Sequence, residues 1–266
     1  MSNVKDVMET VQGIVEAVPV YEDMVQPAAK ELGKGLLTVS KVVNIALAPL
    51  SGLVWGYEKI AKYLETSMAE KLKNIPEENI QTPDPSIAVP AVEALRYSAH
   101  NEELREMFAN LIANAMDKET SPKAHPSFVE IIKQINSDEA KIIKLLVNDQ
   151  SKAVVRMKAY NKDPELSHQY LEPMKEFSVI PEIAGCEHPE LGPSYINNLE
   201  RLGLIQLTYD SYSTLPNSYE PIENHPEVKK TKKFFENLDK RIELKRGSFT
   251  RSEFGKKFYE SCVIEK

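Results

Sequence analysis

Few residues in this chain stand where their types and spacing would do chemistry. Cys186-Glu187-His188 is the single local pairing of a thiol with an imidazole. Zinc takes about four ligands, usually from two paired motifs. Neither C-x-x-C nor H-E-x-x-H occurs, so His225 and Cys262 would complete a set only if the fold brought them in. Glu139-x-Lys141 has the acidic–lysine ending of some nucleases, but it lies in the first turn of an expected helix. His100 and His125 sit at helix edges beside Asn101 and Pro126, where capping and surface roles prevail. Phosphate-binding loops need glycine where backbone approaches phosphate. Both G-x-G-x-x-G and G-x-x-x-x-G-K-[ST] are absent. Glycine itself is scarce: the chain has 10 in 266 residues, where an average usage of about 7% would give about 19. None lies between Tyr57 and Ala184, which favours helices over tight hairpins. No catalytic residue, metal site or cofactor is expected.

Charge is the next resource. The net charge is −7, but Pro226 to Lys266 holds 12 Lys+Arg against 7 Asp+Glu, leaving 21 against 33 elsewhere. Arg201, Lys240, Arg241, Lys245, Arg246 and Arg251 are the candidate contacts to nucleic acid or an acidic partner. The expected recognition helix, PSYINNLERLG, offers Tyr195, Asn197 and Asn198 but one cation, Arg201, beside Glu200. That is poor equipment for phosphate, so protein contact is the expected use of this end, with nucleic acid as the alternative.

The third resource is apolar. Val42 to Tyr57 is 16 residues without a charge, and Ala48, Gly52 and Gly56 fall four apart. Small residues at that spacing let a second helix approach closely. A span needs about 20 apolar residues, and Asn44, Pro49 and Ser51 interrupt this stretch. A buried helix or an oligomer face is the first expectation. Membrane insertion of residues 39–57, with Leu50 and Leu53 inside and Trp55 at the interface, is the alternative.

These groups need elements to hold them. Val4 to Val18 and a region from Pro27 to about Met68 read as helices, and three prolines make 72–85 a linker. Ser86 caps a helix with Pro90 in its first turn. Asn101 caps the clearest one, with Leu104, Met107, Phe108, Leu111, Ile112 and Ala115 on one stripe. Phe128, Ile131, Ile132 and Ile135 mark a short helix, and Ser137 caps another that buries Ala140, Ile143, Leu146 and Val147. Pro193 opens a helix that Gly203 closes. Leu204 to Tyr209 alternates like a strand. Arg241 to Phe249 reads as a second strand region, turning at Arg246-Gly247. Thr250-x-x-Glu253 is a capping box for a last helix carrying Phe254, Phe258 and Cys262.

The expected fold is mainly α: an N-terminal and central helical bundle, then a winged-helix-like α+β module with an elongated wing holding a helix near Glu227 to Leu238. The expected divisions are 1–71, a linker at 72–85, 86–136 and 137–266. Two cysteines and no secretory signal point to the cytoplasm, with membrane association reserved for the apolar segment.

The phrases VPVYEDMVQPAAKELGKGL, NIALAPLSGLVWGYEKI, IPEENIQTPDPSIAVPAVEALRY, ELREMFANLIANAMDKET and AHPSFVEIIKQINSDEAKII resemble the abortive infection alpha family of bacterial proteins. The resemblance runs from about Val18 to Cys262. It implies a role in resistance to bacteriophage and supplies no catalytic residues. The reading is therefore a non-enzymatic anti-phage protein, homo-oligomeric through its apolar N-terminal helices, with a phage or host protein as partner. A membrane-acting effector and a nucleic-acid-binding regulator are the alternatives.

Overall fold

The computed structural model describes residues 57–266, apart from Ala99, Asn148, Asp149 and Ser167. The helix expected over 4–18 and the candidate residues Ala48, Leu50, Gly52, Leu53, Trp55 and Gly56 lie outside the described residues. The chain divides into two compact units, one of 57–134 with Glu260–Lys266 and one of Ile135–Tyr259.

The first unit is helical: α1 (Tyr57–Lys71), α2 (Pro85–Ser98), α3 (Glu102–Met116) and α4 (Ser127–Ile132). Asn101 accepts the Leu104 amide at 3.1 Å and starts α3. The stripe on this helix understates it, because every residue from Met107 to Met116 is buried. A helix buried on all sides must satisfy its polar groups locally. The side-chain amide nitrogens of Asn110 and Asn114 do so by donating to the carbonyls of Cys262 and Ser261, at 3.1 and 3.0 Å, while the Asn110 oxygen is buried without a partner among the described residues. For α2 the capping carboxylate is Asp84, 2.8 Å from the Ser86 amide, and Pro90 lies inside the helix rather than in its first turn. The proline-rich stretch before α2 is tied to the end of α3 by Gln81 N to Met116 O and Lys118 N to Asn79 O, at 2.8 and 2.9 Å.

The second unit overturns the mainly α expectation, and the fold is α+β. Its elements are α5 (Ser137–Leu145), β1 (Lys152–Asn161), β2 (Tyr170–Phe177), α6 (Ile180–Ile183), α7 (Gly192–Arg201), β3 (Ile205–Thr208), α8 (Glu220–Glu223), α9 (Pro226–Asn237), β4 (Lys240–Arg251) and α10 (Glu253–Cys262), whose last residues belong to the first unit. The strands form one antiparallel sheet in the order β2-β1-β4-β3. The β1–β2 hairpin is absent from the sequence expectation. In β1, Val155, Met157 and Ala159 alternate with Arg156, Lys158 and Tyr160, which is strand periodicity. Lys, Ala, Met and Arg are nevertheless better helix formers than strand formers. β2 carries Pro173, which an edge strand tolerates because one side of its backbone needs no partner.

β4 is also one continuous strand, not two with a turn between. Ten consecutive pairs with β1, from Lys152–Phe249 to Asn161–Lys240, hold it through Gly247. Gly247 marks a close approach instead. A Cβ there would meet the Tyr209 ring at 2.5 Å and the Thr208 carbonyl oxygen at 2.6 Å. Gly203 does serve as a left-handed cap, with φ of 73°.

The two sheet faces differ. Val155 and Met157 pack with Tyr219, Ile222 and Val228 into a buried cluster, flanked by Met174, Phe177, Ile242 and Leu244. The segment between β3 and β4 thus covers one face. Arg156, Lys158 and Tyr160 point to the other, with their cross-strand neighbours Lys245, Glu243 and Arg241.

Candidate functional site

The residues that looked chemical are consumed by structure. Asn136, not Ser137, caps α5: its side chain accepts the Glu139 amide, and Glu139 Oε2 accepts the Asn136 amide, both at 2.8 Å. The second Glu139 oxygen takes the Asn198 amide at 2.8 Å. Burial raises the Glu139 pKa, and these donors only partly oppose it. Asp138 accepts the backbone amides of Glu187 and His188 at 2.8 and 2.9 Å and the Tyr195 hydroxyl at 3.0 Å. Lys141 stands 3.4 Å away. Burial alone would raise the Asp138 pKa, but these donors outweigh it and hold the carboxyl below its ordinary value. The Glu139-x-Lys141 spacing is thus part of a clamp joining α5 to the loop before α7.

Cys186 sits in that loop with its thiol pushed up to about 11, first by burial and then by the Asp138 charge. His188 faces Glu190 at 3.3 Å. His125 Nδ1 accepts the Ser127 amide at 3.1 Å, and His225 Nδ1 accepts the Glu227 amide at 3.3 Å, so each serves a helix start. Ser252 caps α10 by accepting the Gly255 amide at 2.8 Å, in place of the expected Thr250. Among the described residues, no three His, Cys, Asp or Glu side chains gather in a way that would hold a metal ion.

The six candidate cations do not form one patch. Arg201 turns back on Asn198 at 2.7 Å. Arg251 lies over the Tyr259 ring at 4.6 Å. Arg246 is on the covered side, against Glu223 at 2.7 Å, and alternation puts Lys240 on that side too. Alternation puts Arg241, Lys245 and Arg251 on the other side, where Arg251 is taken up by Tyr259 and Arg241 and Lys245 stand beside the β1 residues Tyr160 and Arg156.

There they join residues the sequence reading left out. The Arg241 guanidinium lies 4.6 Å above the Tyr160 ring, and Tyr160 sits 5.2 Å from Tyr170 across the β1–β2 pair. Lys158 Nζ is 4.1 Å above Tyr170. Arg156 covers Tyr209 at 4.2 Å and donates to Glu176 at 2.7 Å, with Glu172 at 3.7 Å. Lys245 stands 5.9 Å from the Tyr209 ring. Burial, and then the Glu176 charge, push the Tyr209 hydroxyl up to about 12. The alternation of Arg156, Lys158 and Tyr160 along β1 is the signal that would have found this face.

The array alternates cation, ring and carboxylate. Such stacked pairs are worth about 0.5–1 kcal/mol each at exposed sites. They hold long side chains in fixed poses and leave Tyr170 46% exposed.

The family model described as abortive infection alpha matches residues 56–262. The chain belongs to the abortive infection alpha family. The family carries an abortive-infection role, and the matched residues include all of the second unit and part of the first. No curated protein matches the sequence. Among solved structures, an uncharacterized protein from the hydrocarbon-degrading marine bacterium Alcanivorax borkumensis SK2 is similar at 16% identity, over 55% of this chain and 96% of that one, with a TM-score of 0.36. Among the described residues, no helix is long and apolar enough to cross a membrane.

Proposed function

We propose that this abortive infection alpha protein defends bacteria against phage without catalysis, by protein contact through the open face of its sheet. The observation that carries the reading is the charge-balanced, tyrosine-lined surface. Tyrosine and arginine anchor protein interfaces because they bring large contact area with polar tips. Nucleic-acid binding instead needs a surplus of cations facing phosphate. Here Glu172, Glu176 and Glu243 stand among the cations. Residues 135–259 carry 19 Lys+Arg against 19 Asp+Glu. A phage or host protein is therefore the partner of choice.

The order α5, β1, α6, α7, β3, β4, α10, with a β1-β4-β3 sheet core, supports reading this unit as winged-helix-like. The β2 hairpin strand and the α8–α9 segment are then insertions. Self-association through Val42–Tyr57 belongs to the same proposal on sequence grounds, and a monomer in light scattering at micromolar concentration counts against it.

Plating efficiency of phage on cells carrying the wild-type chain or the Tyr160→Ala, Tyr170→Ala, Arg241→Ala triple variant tests the reading. Loss of protection with an unchanged unfolding midpoint is the expected result, and full protection by the triple variant overturns it. The stacked tyrosines and cations on an antiparallel sheet favour one second reading, a single-stranded nucleic acid. It predicts binding that falls steeply with salt and is abolished by Arg241→Glu with Lys245→Glu.

A further inference from the structure

The covered side of the sheet holds a cavity that the open-face reading leaves unused. It lies between the loop after β3, the start of α8 and the β4 residue Arg246, with a volume near 580 Å³. That is within the roughly 300–1,000 Å³ of small-ligand sites. Its floor is fixed. Tyr219 is buried, and its hydroxyl donates to Gly247 O at 2.7 Å while accepting the Ser213 amide at 2.9 Å. The Ser218 hydroxyl donates to Leu215 O at 2.8 Å, which leaves the Ser213 hydroxyl to donate to Ser218 at 3.2 Å. Both serines are therefore spent on holding the loop.

What remains facing the cavity is acceptor-rich and aromatic. Tyr212 is 61% exposed and stands edge-on to Tyr219, with ring centroids 6.5 Å apart. Glu220 lines the cavity with no ion pair among the described residues, and Asn217 and Asn224 add side-chain carbonyls. Arg246 is already neutralised: its Nε and Nη2 both reach Glu223 Oε1 at 2.7 Å, and its guanidinium lies 4.8 Å over the Tyr219 ring. One carboxylate is left uncompensated, so the cavity disfavours phosphate and other anions. A planar cation with many N–H donors suits this lining, since Tyr212 offers a ring to stack on and Glu220 and the amide carbonyls accept. Arg246, stacked over Tyr219 and paired with Glu223, is an example within the chain of an arginine held by a ring and a carboxylate.

We propose that this cavity binds an arginine side chain of a peptide partner, stacked on Tyr212 and paired with Glu220. The proposal stands apart from the open face, since the two sites lie on opposite sides of the sheet.

Titration of the full ¹⁵N-labelled chain with acetyl-Gly-Arg-Gly-amide tests it, with the citrulline peptide as an uncharged isostere. Saturable shifts confined to residues 212–224 are expected for the arginine peptide, and none for the citrulline peptide. Glu220→Gln should weaken binding at least five-fold and Tyr212→Ala about ten-fold, with Tyr212→Phe retaining it. Both side chains are on the surface, so thermal melts of these variants should match the wild type. Three results overturn the proposal: absent binding, equal binding of the citrulline peptide, or affinity unchanged in Glu220→Gln and Tyr212→Ala.

Discussion

The two faces of the four-stranded sheet use the same strands for opposite purposes. On one face, Val155 and Met157 vanish beneath Tyr219, Ile222 and Val228. On the other, one residue along in each case, Arg156, Lys158 and Tyr160 build a layer of rings and charges. The period of two makes this division automatic, because neighbours in a strand point opposite ways. The covered face holds the unit together through area removed from water. Only part of this second face is bare: Val154 and Phe249, on the same side of the register, are fully buried at one end, and the ring-and-charge layer further along is where we propose recognition.

Substitutions test that contrast, and the largest effects belong to the covered side. Met157→Ala and Ile222→Ala should each cost about 2–5 kcal/mol in urea unfolding, because both side chains are fully buried. A loss below about 1 kcal/mol at both sites would mean this face is not the core.

The clamp at Asp138 comes next. Asp138→Ala strands the Glu187 and His188 amides and the Tyr195 hydroxyl, at a cost of about 2–4 kcal/mol. The folded pKa lies below the unfolded one, so the Asp138 contribution is complete above the ordinary carboxylate range and fades as pH falls through the folded value. Glu139 has the opposite sign. Its raised pKa makes the charged form a mild burden near neutrality that acid relieves. Unfolding measured between pH 3 and pH 7 should therefore show a flatter acid slope in Asp138→Asn and a steeper one in Glu139→Gln. Identical slopes in both variants would remove the clamp from the account.

Gly247→Ala tests the seam between the faces and should cost about 1–3 kcal/mol. Adding Tyr209→Ala should rescue it only in part, since the Thr208 carbonyl at 2.6 Å is backbone and cannot leave. Complete rescue would show that the ring alone demands the glycine.

The smallest effect is expected on the open face. Tyr170→Ala with Lys158→Ala should change stability by less than about 1 kcal/mol, while phage protection falls.

How much of this was legible follows from how local each signal is. The α3 stripe and the Asn101 cap are readable because helix periodicity and capping act within a few residues. Gly203 is readable because a left-handed cap after an apolar helix has few other occupants. The caps at Asp84, Asn136 and Ser252 lie one to two residues from the expected ones, since neighbouring polar residues compete equally well on sequence alone. The β1–β2 hairpin was missed because β1 mixes strand alternation with good helix formers and β2 carries Pro173, so that long-range pairing with β4 decides the segment. That omission hid Arg156, Lys158, Tyr160 and Tyr170, and with them most of the candidate site. Arg241 and Lys245 were found by charge, but Arg246, one residue on, faces the other way. A run of cations carries no information about faces until the strand is recognised.

The most direct test of recognition by the open face is photocrosslinking from position 170 in infected cells, with Tyr170 replaced by a benzophenone-bearing amino acid. A discrete adduct that survives nuclease, is destroyed by protease and is absent when the probe replaces exposed Tyr97 on α2 is the predicted result. Phage protection without any adduct at position 170, or an adduct that nuclease removes, would contradict it.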